Sequence, residues 1–176
     1  MTTTIRQMTA EEYPLLEEFC YQAIFLPKGV PAPDRSIIQL PKLQLYVKDF
    51  GRYPHDQAMV ADVDGQVVGA VWVRIIDDYG HIDDETLSLS MSLLPAYRGQ
   101  GIGTELLKAF LKFLKVKGYH KVSLSVQKEN YACNMYRKAG FQTIIENETD
   151  FIMVCELSKA IENETNKIKR SSINRK

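Results

Sequence analysis

Glu85-Thr86-Leu87-Ser88-Leu89-Ser90-Met91-Ser92-Leu93-Leu94-Pro95-Ala96-Tyr97-Arg98-Gly99-Gln100-Gly101-Ile102-Gly103-Thr104 and the apolar-patterned stretch that follows it to Phe113 decide the fold of this chain. From Leu87 to Leu93 apolar residues alternate with serines, the period of two of a β-strand, and Pro95 stops the strand. Leu106, Leu107, Phe110, Leu111, Phe113 and Leu114 then recur at helical spacing. The unit is strand, glycine turn, helix. Glycines at alternate positions ahead of a helix let the backbone approach a ligand and leave the first helical N–H groups without intrahelical partners. Such a turn suits an anion: the helix dipole adds to the attraction, and Arg98 is expected to supply a full positive charge beside it. A tight turn without a ligand explains one glycine more easily than three and an arginine. A P-loop is excluded because Thr104-Glu105, not Lys-Ser/Thr, follows Gly103, and a dinucleotide fingerprint is excluded because Leu106 stands where a glycine is needed.

Arg98-Gly99-Gln100-Gly101-Ile102-Gly103 matches, position for position, the Arg/Gln-x-x-Gly-x-Gly/Ala acetyl-coenzyme A signature of the general-control-related N-acetyltransferase (GNAT) superfamily, which the chain resembles here. A second stretch, Leu124-Ser125-Val126-Gln127-Lys128-Glu129-Asn130-Tyr131-Ala132 through Met135-Tyr136-Arg137-Lys138-Ala139-Gly140-Phe141, resembles that superfamily's strand followed by Asn-x-x-Ala-x-x-Leu-Tyr-x-x-x-Gly-Phe. Ala132, Tyr136, Gly140 and Phe141 align directly, while Glu129 fills the asparagine slot and Asn130 stands next to it.

The resemblance implies an α/β (α+β) single-domain acyl-coenzyme A acyltransferase fold, with a mixed twisted sheet of about six or seven strands and helices on both faces. It also implies a splay between the central strand and the next, where acetyl-coenzyme A lies. The implied function is acetyl-coenzyme A-dependent N-acetyl transfer to a primary amine by direct attack in a ternary complex. The alternative is a non-catalytic acyl-coenzyme A-binding regulatory module of the same fold. Carried over residue by residue, the backbone of Met91, Ser92 and Leu93 polarises the thioester carbonyl. Arg98, Gly99, Gln100, Gly101, Ile102, Gly103 and Thr104 hold the pyrophosphate, Asn130 is the candidate for the pantetheine arm, and Tyr136 is the proton donor.

Direct acetyl transfer needs a neutral amine, a polarised carbonyl, a proton for the departing thiolate and alignment of both substrates. Ordinary values of about 10 for a phenol and about 8.5 for a thiol make full proton transfer from Tyr136 uphill by about 2 kcal/mol, so a hydrogen bond to the developing thiolate is its expected role. By position alone, Tyr136 reads better as a core tyrosine on an amphipathic helix, and the surrounding motif reverses that reading. Glu85 shares strand parity with Leu87, Leu89, Met91 and Leu93 and is the candidate general base; its other reading is a solvated acid at the far end of the strand. The serine face of that strand admits three readings: a helix packed close, a ligand, or solvent.

The 176 residues, 45% hydrophobic and 25% charged, suffice for one well-cored domain. With 22 basic and 22 acidic side chains, no bulk attraction to nucleic acid or an anionic membrane is expected. No apolar run approaches the ~20 residues of a membrane span, no signal-peptide core opens the chain, and a cytoplasmic protein is expected. Cys20, Cys133 and Cys155 form no paired spacing, and His55, His81 and His120 are scattered, so no metal is expected. Cys133 reads as a small buried apolar residue, with an acyl-transfer nucleophile as its sharper alternative. The expected partner is a small-molecule or peptide amine, with a homodimer left open. Asp77, Asp78, Asp83 and Asp84 could favour a cationic acceptor or merely solubilise a turn. Phe19, Tyr21 and Phe25 could wall an acceptor pocket or sit in the core.

In chain order, residues 3–8 read as a strand and Thr9-Ala10-Glu11-Glu12 as a capping box opening a helix. A proline-rich loop follows, then a helical stretch over residues 36–50 interrupted by Pro41. Asp64-Gly65 marks a hairpin between residues 58–63 and 66–76. Residues 121–126 read as a strand, 132–139 as a short helix, and 141–145 and 151–157 as two more strands. The domain is expected over residues 1–158, with a frayed basic tail over 159–176 carrying six basic and two acidic side chains.

Overall fold

The computed structural model describes residues 2–157; the expected tail lies outside them. Seven strands form one mixed sheet: β1 (Thr3–Gln7), β2 (Gln57–Val63), β3 (Gln66–Arg74), β4 (Leu87–Leu93), β5 (Lys121–Gln127), β6 (Gln142–Glu146) and β7 (Asp150–Glu156). Their order across the sheet is β1-β2-β3-β4-β5-β7-β6, with β4 and β5 the parallel pair. Four α-helices, α1 (Leu16–Gln22), α2 (Pro41–Gln44), α3 (Ile102–Val116) and α4 (Ala132–Lys138), complete the fold. The β2–β3 hairpin turns on Asp64 and Gly65, at φ 49° and 88°, the paired left-handed geometry that matches the strand twist.

The alternation of β4 sorts two cores. Leu87 and Leu89 face α3 and pack with Leu106, Leu107, Phe110 and Leu114, all buried. Ser88, Ser90 and Ser92 belong to the opposite face, where Leu16 and Phe19 of α1 pack with Val60, Ala70 and Trp72. The small serine side chains let α1 lie close to β4, and Ser92 Oγ donates to the Phe19 carbonyl at 2.6 Å. Of the three readings of that face, a packed helix is the observed one.

Two expected helices take different forms. The capping box of Thr9 and Glu12 is made, but it opens a 3-10 helix over Ala10–Leu15, and α1 begins only at Leu16. Pro14 has no N–H to give to an i−4 carbonyl, which delays the α-helical pattern. Residues 36–50 are not one helix: a 3-10 helix, Arg35–Gln39, ends before Pro41, which occupies the first turn of the four-residue α2. Past α2 the carbonyls of Leu45 and Lys48 accept from Arg74 Nη1 at 3.1 and 2.8 Å. Arg74 is itself held in a buried bidentate pair with Asp56, at 2.9 and 3.0 Å.

Candidate functional site

The site grows from a mismatch in strand pairing. β3 follows β4 from Arg74 opposite Ser88 to Gly69 opposite Leu93. On the other side, β5 pairs with β4 only at Leu87–Val122 and Ser88–Ser123, and beyond them the two strands part. The Leu94 N–H donates to the Val68 carbonyl at 2.8 Å. By antiparallel alternation, the peptide groups of Ser88, Ser90 and Ser92 therefore serve β3, and those of Leu89, Met91 and Leu93 point toward β5. The Leu93 carbonyl is taken by Arg98 Nε at 2.9 Å. What lines the gap from β4 is thus the N–H and C=O of Met91 and the N–H of Leu93.

At the head of the gap the chain turns into α3. Gly99 and Gly101 have φ values of 73° and 87°, a left-handed backbone that glycine adopts without strain. The first helical amides close late: Thr104 and Glu105 both donate to the Gly101 carbonyl. The N–H groups of Gly99, Gln100, Gly101, Ile102 and Gly103 make no hydrogen bond of normal geometry to another described residue. Consecutive amides of this kind, at a helix N-terminus, form a concave anion cradle. Gly103 serves packing instead: a Cβ there would stand 3.0 Å from Leu93 Cδ1 and 3.7 Å from Met135 Sδ, so α3 and α4 close over the end of β4.

Arg98 also has a structural task. Its guanidinium is not free beside the cradle, because Nη2 donates to the Gln22 carbonyl and to Gln22 Oε1, both at 3.1 Å, while Nε holds Leu93. It ties the end of α1 to the end of β4, and because these partners are all neutral its positive charge remains at the turn.

Tyr136 is buried on α4, with its ring edge-to-face on Phe141 at 5.6 Å. Burial pushes its phenol well above the usual tyrosine value. The hydroxyl makes no hydrogen bond to a described residue, yet no fully enclosed side-chain oxygen among them lacks a partner, so the hydroxyl meets open space. Cys133, one turn earlier, gives its thiol to the Gln127 carbonyl at 3.3 Å, and burial raises its pKa, which fits the packing reading over the nucleophile. Asn130 Oδ1 accepts the Ala132 N–H, the first amide of α4, at 2.9 Å. Glu85 is exposed in the turn before β4 and is not brought to the gap; six residues of strand separate it from Met91, about 20 Å at the usual rise. Phe19 belongs to the core, and Tyr21 donates to the Pro33 carbonyl at 2.8 Å.

The acidic quartet separates. Asp83 caps the turn through Thr86 Oγ1 at 2.7 Å, and Asp84 lies near His81. Asp78 alone folds inward, accepting Ser88 Oγ at 2.9 Å and the Gly80 N–H at 3.0 Å. Among the described residues no cluster of three or more ligand side chains could hold a metal, and no helix is long and apolar enough to cross a membrane.

A seven-stranded mixed sheet parted between two parallel central strands, with an amide cradle where the first of them turns into a helix, defines a class of acyl-donor-binding folds. The model of the acetyltransferase (GNAT) family matches residues 17–141, and the chain belongs to that family. An N-alpha-acetyltransferase of Sulfurisphaera tokodaii is 39% identical over 93 residues, 48% of this chain and 56% of that protein. The chain thus spans about half the length of the curated relatives it matches. In fold it is similar to the PaiA N-acetyltransferase of Thermoplasma acidophilum solved in complex with coenzyme A, with TM-score 0.64, 22% identity, and 89% and 99% of the two chains covered. It is likewise similar to the ribosomal-protein-S18-alanine N-acetyltransferase of Escherichia coli, with TM-score 0.60, 15% identity, and 89% and 94% covered.

Proposed function

We propose that the chain is an N-acetyltransferase that moves an acetyl group from acetyl-coenzyme A to a primary amine by direct attack within a ternary complex. The observation that carries this reading is the parted edge of β4 running up to five unpaired amides at Gly99, Gln100, Gly101, Ile102 and Gly103. The residues fit the donor: the cradle suits a pyrophosphate, and the peptide edge of Met91 and Leu93 suits an amide-bearing arm. Acetyl-coenzyme A supplies an activated thioester. With it bound, the Met91 N–H would stabilise charge on its carbonyl oxygen, the Leu93 N–H would bond the arm, and the Tyr136 hydroxyl would be a donor for the sulfur. The Thr104 hydroxyl and the Arg98 charge extend the cradle, and Arg98 and Asn130 also position β4 and α4. The removal of Glu85 from the gap favours an acceptor proton leaving through water.

A non-catalytic acyl-coenzyme A-binding module is the second reading, favoured by the lack of an acid brought to the gap from Glu85. Calorimetry with acetyl-coenzyme A and thiol release across an amine panel separate the two. Peptide α-amines come first in the panel, given the name of the Sulfurisphaera tokodaii relative. Gly101→Val, at φ 87°, forces a left-handed β-branched residue and is expected to weaken acetyl-coenzyme A at least about tenfold. Unchanged affinity would remove the cradle from the site.

A further inference from the structure

The loop after β3 crosses the closed foot of the parted strands on the face opposite α3. Asp78 is fixed to β4 through Ser88 Oγ, and two residues on, the Gly80 carbonyl accepts Ser123 Oγ of β5 at 2.7 Å. A Cβ at Gly80 would meet the backbone of Leu124 and Ser125 at 3.1 Å, so the loop lies directly on β5. Beside this clasp is a cavity of about 190 Å³ lined by Lys42, Leu45, Tyr46, Asp77, Asp78 and Tyr79.

We propose that this cavity is an ammonium subsite for the acceptor, with Asp78 as its anionic anchor, taking a second positive charge on a molecule whose reacting amine sits at Met91. The inference rests on the N-acetyltransferase reading above and names the acceptor class: a primary amine carrying a further cationic group, as in a diamine or a peptide with a basic side chain.

Three observations carry it. The Asp78 carboxyl has donors but no cation: Ser88 and Gly80 both bond Oδ1, Tyr46 hydroxyl lies against the same group, and no ion pair to Asp77 or Asp78 exists among the described residues. Burial accordingly pushes the Asp78 carboxyl above the usual carboxylate range, a state that an arriving ammonium relieves. Lys42, the cation of the wall, is engaged over the Tyr79 ring, with Nζ 5.5 Å from its centre, and forms no ion pair with Asp78 that would satisfy the carboxylate. Finally, the spacing is set by β4. Ser88 and the peptide edge of Met91 are three residues apart, about 10 Å along the strand, with half-buried Ser90 on the face of Ser88 between them. A monoamine reaches only one end of that span.

The test compares 1,8-diaminooctane with octylamine, which has the same chain and one ammonium fewer, and 1,3-diaminopropane, which is too short. Thiol release by the wild-type chain is expected to show kcat/KM at least about tenfold higher for 1,8-diaminooctane than for either of the others. Asp78→Asn keeps an oxygen for Ser88 and Gly80. It should erase that preference through KM, leaving octylamine turnover and acetyl-coenzyme A affinity within about twofold. Asp77→Asn, exposed and outside the clasp, should give a smaller change in the same direction. Calorimetric binding of 1,8-diaminooctane to wild type and to Asp78→Asn reads the subsite without turnover: binding lost in the variant supports it. Equal use of 1,8-diaminooctane and octylamine, or a preference that survives Asp78→Asn, overturns the subsite alone. Absence of thiol release with every amine overturns the N-acetyltransferase reading, and diamine binding then decides the subsite independently.

Discussion

Tyr136→Phe removes one oxygen atom and separates chemistry from packing. The hydroxyl has no hydrogen-bond partner among the described residues, while the ring is buried against Phe141. Losing the oxygen therefore breaks no internal hydrogen bond, and stability in a urea melt should stay within about 0.5 kcal/mol of wild type. Turnover measured by thiol release should fall about 100-fold, close to 2.7 kcal/mol of barrier, with acetyl-coenzyme A affinity changed less than about threefold. The pH dependence carries a sign. Because burial raises the phenol above its ordinary value, the O–H remains a donor as pH rises through about 10, and the wild-type advantage over the variant should stay flat across that range. Unchanged turnover would make Tyr136 a core residue. A stability loss above about 1 kcal/mol would mean that the hydroxyl is engaged inside the fold.

Two further outcomes concern stability. Asp56→Asn leaves the Arg74 guanidinium buried without its counter-charge, and the urea midpoint should drop by the equivalent of about 3–5 kcal/mol at constant m-value. An unchanged midpoint would show that the Leu45 and Lys48 carbonyls suffice to hold Arg74. Glu12 is hydrogen-bonded by Arg6, which holds its carboxyl at about 2, below the ordinary 4.5. Its contribution is therefore full above about pH 4.5 and is lost as pH falls toward 2. The stability gap between wild type and Glu12→Gln, about 1 kcal/mol at pH 7 once solvent screening is allowed for, should narrow between pH 4.5 and 3. A gap independent of pH would remove the charge from the explanation.

What could be read from the sequence was what neighbouring residues determine. The alternation of Leu87 through Leu93, the glycines before α3, the Asp64-Gly65 hairpin and the Thr9–Glu12 box are local signals, and each appears where it was expected. The role of Arg98 was not legible, because its partner Gln22 lies 76 positions away and nothing in Arg98-Gly99-Gln100 announces it. The same holds for the serine face, whose occupant is the Phe19 carbonyl 73 positions upstream. Residues 36–50 break at Pro41, which was visible, but the turn of the Leu45 and Lys48 carbonyls toward Arg74 was not, because Arg74 lies 29 and 26 positions away. Glu85 shows the limit of parity, which gives the face of a strand but not the distance along it. Asp78 looked like its three acidic neighbours; only the buried Ser88 beneath it tells them apart.

The narrow join between β4 and β5 also divides the sheet mechanically. On one side β1 to β4, on the other β5 to β7, each strand pair is laddered through four residue pairs or more, but strand to strand the two halves meet through Leu87–Val122 and Ser88–Ser123, beside the clasp from Ser123 to Gly80 and the core they share under α3. Such halves can open at different free energies, so amide exchange should resolve them as separate cooperative units. A ligand lying in the gap touches both and is bound only when they are together. Occupancy then welds them by mass action, and the protein's resistance to unfolding should follow the supply of its donor.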